Sequence, residues 1–200
     1  MPGPGATPSS DAAAQPPHEL PPRTVAGGPP STVEALFKSL YGELREVAER
    51  CFVAERAGHT LQPTALLHEA YLRLARSLQS QRIDQAELLP YAARAMREIL
   101  VDHARKHLAA KRGGDRARAA VDVDTLPGEI PTDLVLDIDQ ALEKLTALDA
   151  RQAKILELRV FAALSVAEVA QTLDMSKRSV EREWTMIRSW LRRELEDHGS

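Results

Sequence analysis

The chain has 200 residues, of which 44% are hydrophobic, and a formal net charge of −3 at pH 7. A single cysteine excludes an intramolecular disulfide framework, and the longest apolar run, residues 160–164, is too short to span a membrane. With only two Trp, three Tyr and three Phe, the core has to be built from aliphatic side chains, which favours helices. No secretory signal is visible near the N-terminus. We therefore expect an all-α, cytoplasmic protein without a membrane partner.

The charge is distributed unevenly along the chain. Residues 91–118 carry eight basic and three acidic side chains, residues 119–150 carry one and eight, and residues 151–195 carry nine and six. The net charges of these segments are therefore +5, −7 and +3. Because local potential governs the encounter with a polyanion, two basic segments around an acidic one are compatible with nucleic-acid binding despite the negative total.

Proline and glycine divide the chain into two candidate domains. Residues 1–30 hold nine of the thirteen prolines and four of the ten glycines. Such a composition cannot repay the entropy of ordering, and it predicts a disordered tail. A second break, rich in Gly, Pro and acidic residues, predicts a flexible acidic linker at residues 113–131. Small helical domains are predicted at residues 31–112 and 132–196.

Three helices are predicted in the first domain. Residues 31–32 can cap a helix whose apolar stripe continues to Cys51 and which ends at Gly58. A buried, inert thiol is the preferred interpretation of Cys51 at that position. Residues 63–64 open a second helix, and a third begins near Tyr91 and ends in a basic run.

Four helices are predicted in the second domain. Residues 132–133 can cap the first, Asp149 the second, Ser165 begins a capping box for the third, and Ser176 can cap the last. Trp190 lies one position off the stripe of the last helix, so it packs at the domain edge or contacts a partner. The apolar stripe of the last helix consists of Val180, Trp184, Ile187, Leu191 and Leu195.

The last two helices form a helix-turn-helix pattern, in which the second helix buries one stripe and leaves its opposite face for the major groove. Basic side chains on that face can contact phosphates or guanine edges, and Glu181 can accept from a cytosine amino group. The residues of this candidate DNA-binding face are Ser176, Lys177, Arg178, Ser179, Glu181, Arg182 and Thr185. A generic helix pair with a solvated charged face would give the same pattern.

Over residues 32–195 the chain resembles a bacterial sigma factor of the sigma-70 family, of the extracytoplasmic-function (ECF) type. The run HTLQPTALLHEAYLRL at residues 59–74 is typical of ECF-like factors. The run ARAMREILVDHAR at residues 93–105 resembles the second half of sigma region 2, including an Asp followed three residues later by an Arg. Residues 139–195 resemble region 4, with Asp174 in the turn where Gly is common.

The resemblance implies a sigma factor that binds core RNA polymerase, recognises −10 and −35 promoter elements and directs transcription initiation. Region 4 would sit on the polymerase flap and read the −35 element with the candidate DNA-binding face. The residues implied for contact with the polymerase clamp helices are Leu67, Glu69, Leu72 and Arg73. The residues implied for the −10 region are Arg94, Arg97, Asp102, Arg105 and Lys106. The resemblance neither requires nor excludes an anti-sigma factor or another regulator as a further partner.

Two other functions stay open from the residues alone: an autonomous helix-turn-helix regulator that binds DNA as a dimer, and an all-helical interaction adaptor. No catalytic constellation is present. His103 and His107 lie one helical turn apart but lack a third ligand for zinc. Glu98 and Asp102 are explained by charge pairing with neighbouring arginines. We therefore predict no enzyme activity, no metal and no cofactor.

Overall fold

A computed structural model describes residues 31–51, 62–78, 81–110, 123, 126 and 132–197. These residues form eight helices and one two-stranded sheet, which confirms the all-α prediction. In chain order the elements are β1 (Ser31–Thr32), α1 (Val33–Ser39), α2 (Tyr41–Cys51), α3 (Pro63–Leu78), β2 (Arg82–Ile83), α4 (Gln85–Ala110), α5 (Thr132–Leu148), α6 (Ala150–Phe161), α7 (Val166–Thr172) and α8 (Lys177–Asp197).

The predicted first helix is divided into α1 and α2. The hydroxyl of Thr32 caps α1 by accepting from the amide of Ala35 at 3.2 Å. The helix stops at Leu40, whose backbone leaves helical geometry at φ −101° and ψ 7°, and α2 follows directly. Leu40 is buried, so the apolar stripe continues across the break. The side chain of Cys51 and the predicted end at Gly58 lie outside the described residues.

A short antiparallel sheet joins the start of α1 to the loop before α4. Ser31 lies opposite Ile83 in β1 and β2, and two-residue strands are too short to show an alternating pattern in the sequence. The helix α4 then begins with a reciprocal cap. The amide of Glu87 donates to Asp84 Oδ1 at 2.8 Å, and the amide of Asp84 donates to Glu87 Oε2 at 2.9 Å. This cap fixes where α4 starts.

The 26-residue helix α4 is the centre of the molecule. Ten of its side chains are buried, in groups that include residues 88–89, 92–93, 95–96 and 99–101. Adjacent buried positions require more than one apolar face, because successive residues of a helix point about 100° apart. Accordingly, α4 packs against α3 on one side and against α5 and α6 on another, with a further contact to α7.

The two predicted domains therefore share one hydrophobic core. Buried side chains of α1 to α4 and of α5 to α8 belong to the same cluster. Of the predicted linker, the structure describes Val123 and Leu126, and both are buried in this core. The amide of Leu126 donates to the carbonyl of Val123 at 3.3 Å. In the part of the chain that is described, no helix is long and apolar enough to cross a membrane.

Candidate nucleic-acid interface

The helix-turn-helix begins at the predicted capping box of α7. The amide of Glu168 donates to Ser165 Oγ at 3.2 Å, and the amide of Ser165 donates to Glu168 Oε2 at 2.7 Å. Both terminal donors are thereby satisfied, which fixes the first turn of this seven-residue helix. Ala170 is buried within the core, and its small side chain suits the packing of α7 against α8.

The turn between α7 and α8 closes with a pair of backbone hydrogen bonds. The amide of Met175 donates to the carbonyl of Ala170 at 2.8 Å, and that of Asp174 to Gln171 at 3.4 Å. This pattern places Asp174 in left-handed geometry, at φ 50°. Aspartate adopts that geometry more readily than most residues, so the departure from the family's usual glycine does not disturb the turn.

The predicted stripe of α8 is confirmed as its buried face. Trp184 and Ile187 lie in the core, and the guanidinium of Arg159 lies 4.9 Å from the centre of the Trp184 ring. The sequence did not reveal that Glu183 is also buried. Its carboxylate accepts from Gln152 Nε2 at 2.8 Å and pairs with Arg151 at 3.3 Å, which ties α8 to α6.

The opposite face of α8 is exposed as predicted. Lys177 lies 3.9 Å from Glu181, and Arg182 lies 3.8 Å from Glu183, so the charged atoms of both ion pairs are too far apart for a hydrogen bond. The half-buried Ser179 donates its amide to Ser176 Oγ at 3.1 Å and thereby caps the helix. The fully exposed members of the face are Ser176, Lys177, Arg178, Glu181, Arg182 and Thr185.

The basic face of α4 lies in a different environment. Arg97, only 19% exposed, reaches Asp139 Oδ1 of α5 at 2.6 Å and Glu157 Oε1 of α6 at 3.7 Å. Glu143 lies 3.9 Å from the same guanidinium, and Arg105 lies 3.9 Å from Asp139. Asp139 and Glu157 are themselves buried. The structure thus pairs Arg97 and Arg105, two residues predicted for the −10 region, with acidic side chains of the second domain.

A second ionic chain joins α4 to α3. Arg73 donates to Asp102 at 2.7 Å and to Glu98 at 3.4 Å, and Glu98 also accepts from Arg94 at 3.1 Å. The hydrogen bond to Asp102 raises the pKa of the Arg73 guanidinium above its usual value. Arg94 and Lys106 are exposed. A predicted polymerase contact, Arg73, therefore bonds directly to a predicted −10 residue, Asp102.

The predicted polymerase surface on α3 needs one correction. Leu67 is 1% exposed and belongs to the core, so its side chain offers no surface to a partner. Glu69 is exposed, Leu72 is 38% exposed, and Arg73 is partly exposed. Helical spacing explains the difference, because Leu67 shares the buried stripe of α3 with Leu74, whereas the other three lie away from it.

A shallow apolar groove lies between α8 and the junction of α5 and α6. Leu148 and Met186, both exposed, line it together with the half-buried Trp190.

The rings of His103 and His107 stack with centres 6.4 Å apart. Within the described ranges, no group of three or more His, Cys, Asp or Glu side chains is arranged to hold a metal ion.

An exposed face with basic side chains on the second helix of a helix-turn-helix is typical of a DNA-binding protein. A family model for "ECF sigma factor" matches residues 23–197, and the chain belongs to this family. Its members are regulatory DNA-binding factors rather than enzymes, and this chain acts as a sigma factor with RNA polymerase in promoter-directed transcription. Searches of curated proteins and of solved structures found no significant match.

Proposed function

We propose that this sigma factor recognises two promoter elements with separate helices, the −35 element with α8 and the −10 element with α4. The observation that carries the proposal is the division of α8 into a buried stripe and an opposite exposed face with three basic side chains, Lys177, Arg178 and Arg182. This is the geometry that a recognition helix needs in order to enter the major groove while its other side holds it to the protein.

On the −35 element, the basic side chains of α8 supply both affinity and sequence preference. Lys177 is near the N-terminal end, where a phosphate is favoured, and Arg178 and Arg182 lie one turn apart on the groove side. Arginine can donate two hydrogen bonds to a guanine edge, and Glu181 can accept from a cytosine amino group. The exposed Thr185 extends the contact by one further turn.

On the −10 element, α4 supplies the contacts. Arg94, Arg105 and Lys106 are accessible in the structure described above, whereas Arg97 is engaged by the second domain. Asp102 takes part through Arg73, with which it pairs at 2.7 Å, because a carboxylate does not itself attract a polyanion. The −10 contact therefore uses a surface that the free protein presents only in part.

Core RNA polymerase binds at two places in this proposal. The first is the exposed side of α3, with Glu69, Leu72 and Arg73. The second is the apolar groove lined by Leu148 and Met186, where region 4 would meet the polymerase flap. An exposed apolar groove beside a DNA-reading helix suits a protein partner, because apolar side chains gain most when another surface covers them.

The test is reconstituted run-off transcription with core polymerase over a pool of random promoters. We expect selected promoters to share two elements. Arg178→Ala and Arg182→Ala should keep polymerase binding in a pull-down, yet each should lose roughly 1–3 kcal/mol of −35 recognition, about 5- to 150-fold in yield. Arg45→Ala, which removes an exposed arginine of α2, is the matched control. A template with a premelted −10 bubble should partly rescue both variants.

Two results would contradict the proposal. Tight, sequence-specific binding of a palindrome by the protein without polymerase would favour the autonomous regulator. Loss of polymerase binding by a folded Arg182→Ala protein, with circular dichroism unchanged, would mean that the exposed face of α8 contacts protein instead of DNA. We expect instead that the protein alone binds promoter DNA weakly and that core polymerase restores specific binding.

A further inference from the structure

A single carboxylate interrupts the apolar side of α8. Glu183 comes three residues after Val180 and four before Ile187, so it shares their side of the helix, and it is only 4% exposed. Its carboxylate accepts a hydrogen bond from Gln152 Nε2 of α6 at 2.8 Å and lies 3.3 Å from the guanidinium of Arg151. Because a buried carboxylate is costly unless it is hydrogen-bonded, the position of Glu183 is tied to that of α6.

The side chain that bonds to Glu183 is itself placed by the cap of α6. The backbone amides of Arg151 and Gln152 donate to Asp149 Oδ1 at 2.9 Å and 3.0 Å. These two bonds fix the first turn of α6, from which the Gln152 side chain reaches α8. A run of hydrogen bonds thus leads from the cap of α6, through Gln152, to the carboxylate of Glu183. It holds α8 against a point of the fold that lies outside the helix-turn-helix.

The other buried contacts of α8 restrict its rotation less sharply. Val180, Ile187 and Leu191 are aliphatic and pack in the core. Aliphatic packing of the right volume stabilises a fold before it defines one arrangement, whereas a hydrogen bond weakens steeply when its distance or angle changes. In coiled coils, one buried polar residue sets the register of two helices at a cost in stability. The contact between Gln152 and Glu183 has the chemistry for the same role between α6 and α8.

A small rotation of α8 would be felt at its exposed face. Side chains extend to about 5–6 Å from the axis of a helix, so a rotation of roughly 10° displaces the ends of Arg178 and Arg182 by about 1 Å. Groups that bind with defined geometry have to be held within about 0.5 Å. Phosphate contacts carry no sequence information, and charge supplies most of their affinity. A rotated α8 would therefore lose sequence preference before it lost overall affinity for DNA.

We propose that Glu183 is a positioning residue for −35 recognition, and that its contact with Gln152 sets the rotation of α8 at which Arg178 and Arg182 meet the bases. This inference rests on the proposed −35 role of α8. The buried side chain of Glu183 does not itself reach DNA. It also lies 3.8 Å from Arg182, too far for a hydrogen bond, so it acts through the orientation of the helix.

The experiment replaces the contact by an apolar pair, Glu183→Leu combined with Gln152→Leu. Holoenzyme reconstituted with core polymerase transcribes two templates that differ only in the −35 element, one from a promoter selected by the wild-type protein and one scrambled. The measured quantity is the ratio of the two run-off yields. We expect the ratio to fall at least about fivefold, the lower end of what one bidentate base contact contributes. The midpoint of urea denaturation should be kept or rise, because an apolar pair often stabilises as well as a buried ionic one.

Two further variants separate positioning from stability. Glu183→Gln keeps an oxygen that can accept from Gln152 Nε2, so it should keep most of the wild-type ratio. Ile187→Val trims the same buried side of α8 without changing either partner of the contact. It should lower the urea midpoint and leave the ratio of yields unchanged.

Two results would overturn the inference. One is a folded double variant that keeps the wild-type ratio of yields. The other is an equal fall of the ratio in Ile187→Val, since any weakening of the core would then have the same effect. If the double variant fails to fold, Gln152→Leu alone removes the hydrogen bond while Arg151 still pairs with Glu183, and the same fall is expected. Equal yields from both templates with the wild-type protein would instead contradict the proposed −35 recognition itself.

Discussion

The helices α4 and α8 each carry several arginines, yet they present them in opposite ways. On α8, the side chain of Arg182 is 72% exposed, whereas on α4 that of Arg97 is 19% exposed and bound to acidic groups. The difference follows from position, because α8 packs along one stripe and α4 lies between α3 and the second domain. The arginines in a sequence therefore indicate a helix that can bind DNA. They do not tell whether the free protein exposes those side chains.

The largest effect is expected for a substitution in α3, the helix that packs against α4. Leu67→Asp places a charge in the shared core, and an unpaired buried charge is too costly for the domain to tolerate. Helical circular dichroism and polymerase binding should be lost together. Leu72→Asp, at an exposed position of the same helix, should keep the dichroism and weaken polymerase binding by about tenfold or more, as at an interface hot spot. Loss of folding by the Leu72 variant would contradict the surface assigned to α3.

The second prediction concerns the buried stripe that holds α8 in place. Trp184→Ala should lower the free energy of unfolding by roughly 3–5 kcal/mol, because it leaves a large cavity and removes the ring beneath Arg159. Trp190 is half-buried and lines the apolar groove, so Trp190→Ala should lower the free energy of unfolding by only about 1 kcal/mol. Urea denaturation followed by circular dichroism measures both. If the two values were reversed, the rotation assigned to α8 would be wrong.

The third prediction compares the two arginines themselves. Arg97→Ala removes the nearest cation from the buried Asp139, which then has only Arg105 at 3.9 Å, whereas Glu157 keeps Lys154 at 2.9 Å. The loss should cost about 3 kcal/mol of unfolding free energy. Arg178→Ala removes an exposed side chain and should change it by less than about 0.5 kcal/mol. Parallel urea titrations give the difference. Equal, small effects would show that the ionic cluster at Arg97 is solvated and would remove the contrast between α4 and α8.

The smallest effect is expected for the N-terminal tail, which belongs to neither α4 nor α8. Deletion of residues 1–30 leaves β1 and every described contact in place. The melting temperature and the amount of core polymerase recovered in a pull-down should therefore match those of the full chain. A large drop in melting temperature would show that the tail contributes to the fold, contrary to its composition.

The local features of the fold could be predicted because their causes are local. The caps at Asp149, Ser165 and Ser176 bond only to residues within three positions, and the stripe of α8 follows from spacing alone. The break at Leu40 could not be predicted in this way, since the apolar stripe runs through it without interruption. The expectation that Leu67 contacts the polymerase is wrong, because a family resemblance implies a docking helix without telling which of its faces is buried.

The contact of Arg97 could not be predicted from spacing, because Asp139 lies 42 residues further along the chain. A signal was nevertheless present in the charges. The segment at residues 91–118, with net charge +5, is followed directly by one with net charge −7. The predicted acidic linker covers only residues 113–131, whereas the contact to the preceding basic segment is made by Asp139 of the following helix, α5.

The separation of 42 residues between Arg97 and Asp139 also has a consequence for synthesis. Domains fold from the N-terminus as the chain is made, at about 5–20 residues per second, so roughly 2–8 s separate the synthesis of the arginine from that of its acidic partner. During this interval Arg97 lacks its partner Asp139, and the inner side of α4 lacks the apolar cover that α5 provides. Uncovered apolar surface makes the nascent chain prone to aggregation during this interval, and a ribosomal pause just after Ala110 would lengthen it.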